Sequence, residues 1–237
     1  KKPNWKAVPI MLAGNTDCYQ PAEREFKITR QILEVLWKYR HPVGMITKNS
    51  LVLRDLDLLK HLASENLVHV CLSITTLDED LRQVLEPRTA SVKSRFKTLK
   101  TLADNNIPVM AMLAPIIPGL NDHELLPMAE RAAEMGAGAI GYQIVRLNGD
   151  IGPIFEDWIH KALPDRADRV LNRIRDCHGG QLNDSRPGLR MSGDGKIADI
   201  IAQQYQLAKK LYFKDKKLPA YNLELHEQYK NGQLSLF

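Results

Sequence analysis

"VGMITKNSLVLRDLDLLKHLASENLVHVCLSI", residues 43–74, holds the unit from which most of the chain is built. Its two ends, 43–47 and 68–74, are apolar on both faces, as strands are when both sides of a sheet are covered. Between them, 55–65 changes to helical period. A buried run, an amphipathic segment and a second buried run read as two parallel strands joined by a covering helix.

The same alternation extends both ways. Further apolar runs lie at 8–13, 107–114 and 139–145, and further helical segments at 22–39, 91–104 and 123–135. In 22–39 the spacing predicts one buried stripe of Phe26, Leu33, Leu36 and Trp37, with Glu23, Arg24, Lys27 and Arg30 outside it. The expected fold class is α/β, a partial (β/α) TIM-like barrel of parallel strands with a helical C-terminal extension. Periodicity leaves a doubly wound sheet open, and the visible strands are too few for a closed eight-stranded barrel. After Gly149 the pattern changes. Residues 153–177 read as helical with a break near Pro164, then "HGGQLNDSRPGLRMSGDG" leads to a helix over 196–212, and 214–237 has no strong pattern. The expected division is 1–150 for the barrel part and 151–237 for the extension.

Composition narrows the function classes. A chain of 237 residues with 44% hydrophobic content can bury a full core. It has no apolar run long enough to span a bilayer and no charged-then-apolar leader, so the expectation is a cytoplasmic protein without a membrane partner. Cys18, Cys71 and Cys177 are odd in number and far apart, which points to a reducing compartment, with Cys71 a small buried hydrophobe in its strand. Much of the formal charge of +5 comes from Lys209, Lys210, Lys214, Lys216 and Lys217, read as a solvated basic face. His41, His61, His69, His123, His160, His178 and His226 show no metal-ligand spacing and are expected at the surface or in turns. GxSxG, phosphate-loop and HExxH motifs are absent.

Ligands of parallel α/β sheets bind beyond the carboxyl ends of the strands. Those ends carry Asn15, Thr16 and Asp17; Lys48 and Asn49; Ser73, Thr75 and Thr76; Pro115 and Pro118; and Arg146 with Asn148. Together they suit a polar, partly charged small molecule. Plainer roles stay open: Asp17 as a cap for the helix near Pro21, Thr16 in a turn, and Ser91 as an N-cap after the stop at "LEPRTAS". Lysine is a poor choice straight after a buried strand unless its charge has a partner. Glu86 and Arg88 lie near the same face, where an arginine can grip a carboxylate.

"NTD" after the first strand, "ITK" and "LSIT" ending the next two, "LEPRTAS" and "LAPIIPGLND", in this order over 8–145, resemble the radical S-adenosylmethionine enzymes. They are most similar to the branch containing spore photoproduct lyase and the DNA-repair-photolyase-like proteins. The resemblance implies S-adenosylmethionine, a 4Fe–4S cluster and an electron donor. Reductive cleavage at the cluster would leave a 5′-deoxyadenosyl radical that abstracts hydrogen from a substrate the sequence does not identify. It implies cofactor contacts at Asn15, Thr16, Asp17, Lys48 and Ser73, with Arg88 assisting.

Two departures matter. The family's CxxxCxxC-type cluster loop is absent. The motifs begin at what would be the family's second strand, so the first strand and cluster loop are expected upstream of Lys1, and the chain alone is expected to be inactive. Spore photoproduct lyase also has a hydrogen-donating cysteine just before the hydroxyl–aspartate pair, where this chain has Gly14, so thymine-dimer repair is not supported. Two other readings remain, a lyase using Lys48 as a Schiff base and a basic module that binds nucleic acid without chemistry.

Overall fold

The computed structural model describes residues 5–232. Five parallel strands, β1 (Ile10–Leu12), β2 (Val43–Thr47), β3 (Val68–Ile74), β4 (Val109–Ile116) and β5 (Ala139–Ile144), lie side by side in chain order. A doubly wound sheet reverses its strand order at a switch point, and this one does not. The topology is that of a partial (β/α) barrel.

Alternation along the strands divides the sheet into two faces. Val43, Met45, Val68, Val70, Leu72, Ile74, Val109, Ala111 and Leu113 join the buried core beneath the helices. The intervening Gly44, Ile46, His69, Cys71, Ser73, Met110, Met112 and Gly141 form the other face, in register across the strands.

The helices of the repeating units are α1 (Glu23–Phe26), α2 (Ile28–Lys38), α3 (Leu56–Ser64), α4 (Glu79–Leu85), α5 (Val92–Asp104) and α6 (Leu125–Glu134). Ser91 caps α5, accepting a hydrogen bond from the Ser94 amide at 3.2 Å. The helix expected over 22–39 is broken at Lys27, whose φ of 52° is left-handed. The break rotates its first turn. Phe26 is therefore exposed rather than in the buried stripe, and Glu23 is buried rather than outside it. Glu23 caps α2 by accepting from the Thr29 amide at 3.0 Å and pairs with Arg54 at 2.8 Å.

Beyond β5, α7 (Ile151–Ala162) and α8 (Pro164–Cys177) enclose a second apolar cluster with Ile117, Leu120, Val145 and Leu147. Helix α9 (Gly195–Tyr212) returns beside α6 and β5, where the Tyr205 hydroxyl donates to the Ile140 carbonyl at 3.0 Å. The segment leading to α10 (Glu224–Lys230) crosses the amino-terminal half of the sheet's open face. Its Tyr221 stacks on His69 with ring centroids 4.0 Å apart and donates to the Val43 carbonyl at 3.3 Å. Gly44 makes room for this ring, since a Cβ there would lie 3.1 Å from the Tyr221 hydroxyl and 2.8 Å from Met11 Cε.

His41, His178 and His226 are buried; the expectation of a surface or turn position fails for His41 and His226, while His178 does sit in the turn that follows α8. Each has a ring nitrogen within 3.0 Å of a backbone carbonyl, of Pro42, Val145 and Tyr39 respectively. That hydrogen bond makes burial of a polar ring tolerable.

Candidate functional site

Asn15, Thr16, Asp17, Lys48 and Ser73 line one cavity of about 250 Å³ at the carboxyl ends of β1, β2 and β3, with Ala13, Ile46 and Thr47. Arg88 does not line it, because the turn at Pro87 leaves its side chain exposed.

Asp17 is the bracket that joins the first loop to β2. Its Oδ1 accepts from the Tyr19 amide at 2.9 Å and the Thr47 hydroxyl at 2.7 Å, and its Oδ2 from the Lys48 amide at 2.8 Å. The bond to Tyr19 is an Asx-type turn within the loop, so Asp17 does not cap the helix near Pro21. Asn49 completes the join, donating to the Tyr19 carbonyl at 2.8 Å, while the Tyr19 hydroxyl reaches buried Asp55 at 3.1 Å. The cavity wall is thereby fixed at both ends.

Lys48 extends from the end of β2 to form an ion pair with Glu86. The other Glu86 oxygen pairs with Arg95 at 2.6 Å, and Thr75 donates to the carboxylate at 3.0 Å. Burial opposes ionisation of Glu86, but the Lys48 and Arg95 charges prevail and hold its carboxyl below the ordinary range. Arg95, 2% exposed, also donates to the Ala90 carbonyl at 3.0 Å and the Ser73 carbonyl at 3.2 Å. One buried guanidinium thus ties "LEPRTAS" to the strand end carrying Ser73. Arg82 braces the same turn from α4 through the Glu86 and Thr89 carbonyls and pairs with Glu79 at 2.6 Å.

The sequence reading missed the roles of Arg95 and Asn121. Arg95 falls in the inward stripe of α5 with Val92, Phe96, Leu99 and Leu102, where an arginine signals a buried partner. Asn121, fully buried in "LAPIIPGLND", donates to the Thr75 and Pro115 carbonyls at 2.7 and 3.0 Å and accepts from the Ile117 amide at 2.6 Å. It joins the ends of β3 and β4.

The donor set suits the polar end of an amino-acid-bearing nucleotide: an ammonium, hydroxyls and an amide on one rim. It does not suit a metal cluster. Among the described residues no group of three or more His, Cys, Asp or Glu side chains is placed to hold a metal ion. Burial and the Asp17 charge push the Cys18 thiol up to about 12, away from the thiolate that ligates metals. Cys71, also raised to about 12, is buried within β3, and Cys177 is buried in α8. The lysine excess lies elsewhere: the Lys217 carbonyl approaches Gly138, before the amino end of β5, and Lys216 donates to the Ala133 carbonyl at 2.5 Å. Among the described residues no helix is long and apolar enough to cross a membrane.

The sequence profile of the Radical SAM superfamily matches residues 2–132. An uncharacterized protein of Methanocaldococcus jannaschii is 39% identical over 117 residues, covering 49% of this chain and 44% of that protein. One from Mycobacterium tuberculosis is 27% identical over 210 residues, covering 88% and 60%. The chain thus spans about half the length of these curated relatives. Among solved structures, a spore photoproduct lyase variant with bound AdoMet and dinucleoside spore photoproduct superposes with a TM-score of 0.64 at 14% identity. The match covers 92% of this chain and 62% of that one. A second variant of the same lyase gives 0.65 at 13% identity, covering 94% and 63%. Likeness at such low identity concerns the fold.

Proposed function

Because the chain belongs to the radical S-adenosylmethionine superfamily, we propose that its polar strand ends form the half of an active site that holds S-adenosylmethionine in a larger enzyme. The observation that carries this reading is the gathering of Asn15, Thr16, Asp17, Lys48 and Ser73 around one cavity braced from behind by Glu86 and Arg95. When bound beside a reduced 4Fe–4S cluster, the cofactor supplies reductive carbon–sulfur cleavage and so a hydrogen-abstracting carbon radical.

The roles of the chain's own residues follow from their geometry. Lys48 and the hydroxyls of Thr16 and Ser73 present donors to the carboxylate and ribose oxygens of the cofactor. Asp17, its oxygens engaged by three donors, positions the loop rather than binding the ammonium end alone. Glu86 and Arg95 hold Lys48 in one direction, so the site is organised before the cofactor arrives. Arg88 reaches the ligand only if its exposed turn folds over the cavity.

The described residues do not fit the cluster, and we place its ligands on a part of the enzyme that this chain does not contain. The outer edge of β1, which pairs with no strand among the described residues, and the exposed Met11, Phe26, Ile28, Ile32 and Val35 offer a surface for such a segment. A cavity of about 390 Å³ lies beside it, lined by 12–18 and the start of α2 among others. A superfamily enzyme needs an electron donor, and a reducing cytoplasm suits the three free cysteines. Lys48 is ion-paired with a buried carboxylate, which disfavours it as a neutral Schiff-base nucleophile.

The test is anaerobic iron–sulfur reconstitution of the longer enzyme, followed by measurement of 5′-deoxyadenosine with S-adenosylmethionine and a strong reductant. Cofactor cleavage that requires both cluster and reductant is expected. An assembled, reducible cluster without cleavage would refute the proposal.

A further inference from the structure

Arg146 stands at the carboxyl end of β5, on the mouth that carries the cofactor cavity and three strand spacings from Lys48, about 14 Å along the sheet. Among the described residues its guanidinium has no carboxylate partner. The Nε is buried with no hydrogen-bond acceptor among the described residues, and Nη1 reaches only the Met191 sulfur at 3.6 Å, a weak acceptor. The carboxylates of this neighbourhood serve other cations. Asp184 and Asp194 face Arg186 at 2.6 and 3.6 Å, and Glu156 faces Arg175 at 3.0 Å.

The glycine-rich segment 178–194 frames the position. It runs along the outer edge of β5, where the Ile144 amide donates to the Met191 carbonyl at 2.9 Å and the Leu147 amide to the Leu182 carbonyl at 3.3 Å. His178 is 2% exposed and engages the Val145 carbonyl through Nε2, which leaves its Nδ1 without a partner among the described residues. Asn183 Oδ1, next to Leu182, is likewise buried and unpaired there. Of these three atoms only the Arg146 Nε–H is a donor; Nδ1 of a neutral ring that donates through Nε2, and an amide Oδ1, are acceptors, so the call for an anion comes from Arg146 alone. A buried guanidinium N–H without an acceptor is costly unless a ligand supplies one.

We propose that Arg146 is the anchor for an anionic oxygen group, carboxylate or phosphate, of the enzyme's substrate. This substrate class rests on the reading of the mouth as a cofactor site, because that reading puts the substrate on the β5 side. A planar guanidinium binds either oxyanion through paired N–H donors, whereas a neutral substrate leaves the charge unmatched.

Proton–nitrogen correlation spectra of the arginine Nε–H groups of this chain test the proposal. Inorganic phosphate and, separately, acetate are titrated, and the Arg146 signal is identified by its absence in Arg146→Gln. Saturable movement of that signal with either anion is expected, the stronger responder distinguishing phosphate from carboxylate. Binding should weaken at least tenfold in Arg146→Gln and less in Arg146→Lys. Anion-induced shifts confined to other arginines and exposed lysines would overturn the proposal. S-adenosylmethionine titrated in parallel separates the two readings: its effect on the amides of Asn15, Thr16, Lys48 and Ser73 reports on the cofactor site, whatever Arg146 does.

Discussion

Arg95 and Glu86 form a buried ion pair at 2.6 Å, with the guanidinium 2% exposed and the carboxylate also bound by Lys48. The pair joins α5, the turn after α4 and the strand end of Ser73, so it sets the shape of the cavity without lining it.

Removing Arg95 leaves Glu86 with Lys48 and Thr75 but takes the donor away from its second oxygen and from the Ala90 and Ser73 carbonyls. Arg95→Met should therefore lower unfolding free energy by about 1.5–3 kcal/mol, read from urea denaturation. Arg95→Lys, which cannot serve the Ala90 and Ser73 carbonyls and Glu86 together, should recover only part of the loss. A destabilisation under 1 kcal/mol for Arg95→Met would show that the pair is not a structural link.

Glu86 and Glu23 both sit below their ordinary range in the folded chain. Burial opposes this in each, and the charges of Lys48 and Arg95, or Arg54 and the Thr29 amide, outweigh it. A carboxyl depressed on folding stabilises above the unfolded value, about 4.3, and loses that contribution as pH falls through the lower folded value. Urea midpoints should fall as pH drops below about 4.3. The decline should be shallower in Glu86→Gln, measured against its own value at neutral pH.

Lys48 and Asp17 should separate binding from positioning. Lys48→Met should weaken S-adenosylmethionine binding by about 1.5–3 kcal/mol, roughly ten- to a hundredfold, with little change in fold. Asp17→Asn loses a charged acceptor shared by three donors and should lower stability itself by about 1–3 kcal/mol. Titration calorimetry and thermal unfolding of both variants give the two readouts. Unchanged affinity in Lys48→Met would remove that residue from the site.

His41 links the two ends of the described chain. Its Nε2 accepts from the Trp5 indole at 3.1 Å while Nδ1 lies 3.0 Å from the Pro42 carbonyl, and the His226 ring is 5.0 Å away. An acceptor at Nε2 and a donor at Nδ1 require the neutral ring. Burial lowers the folded pKa, so this contribution is present above the unfolded value of about 6.5 and fades as pH falls below it. Trp5 fluorescence should change as pH falls below about 6.5 in the wild type, and the change should vanish in Trp5→Phe.

The sheet was legible because a strand covered on both sides is a continuous apolar run, as 68–74 shows. The cavity rim was legible for a related reason: a polar residue directly after such a run stands at the mouth of a parallel sheet. The break at Lys27 was not, since it depends on Glu23 folding back onto Thr29 and Arg54, contacts remote from any local period. Buried histidines escaped because backbone carbonyls are their partners and leave no pattern in the side chains. Arg95 was the avoidable miss, lying in plain helical phase with Phe96 and Leu99.

The proposed cofactor site is tested most directly by titrating S-adenosylmethionine into the isotope-labelled chain and mapping backbone amide shifts. The account predicts saturable shifts at Asn15, Thr16, Lys48 and Ser73, lost in Lys48→Met. Shifts absent there, or confined to the cleft between Trp5 and Leu223 at the opposite end of the sheet, would contradict it.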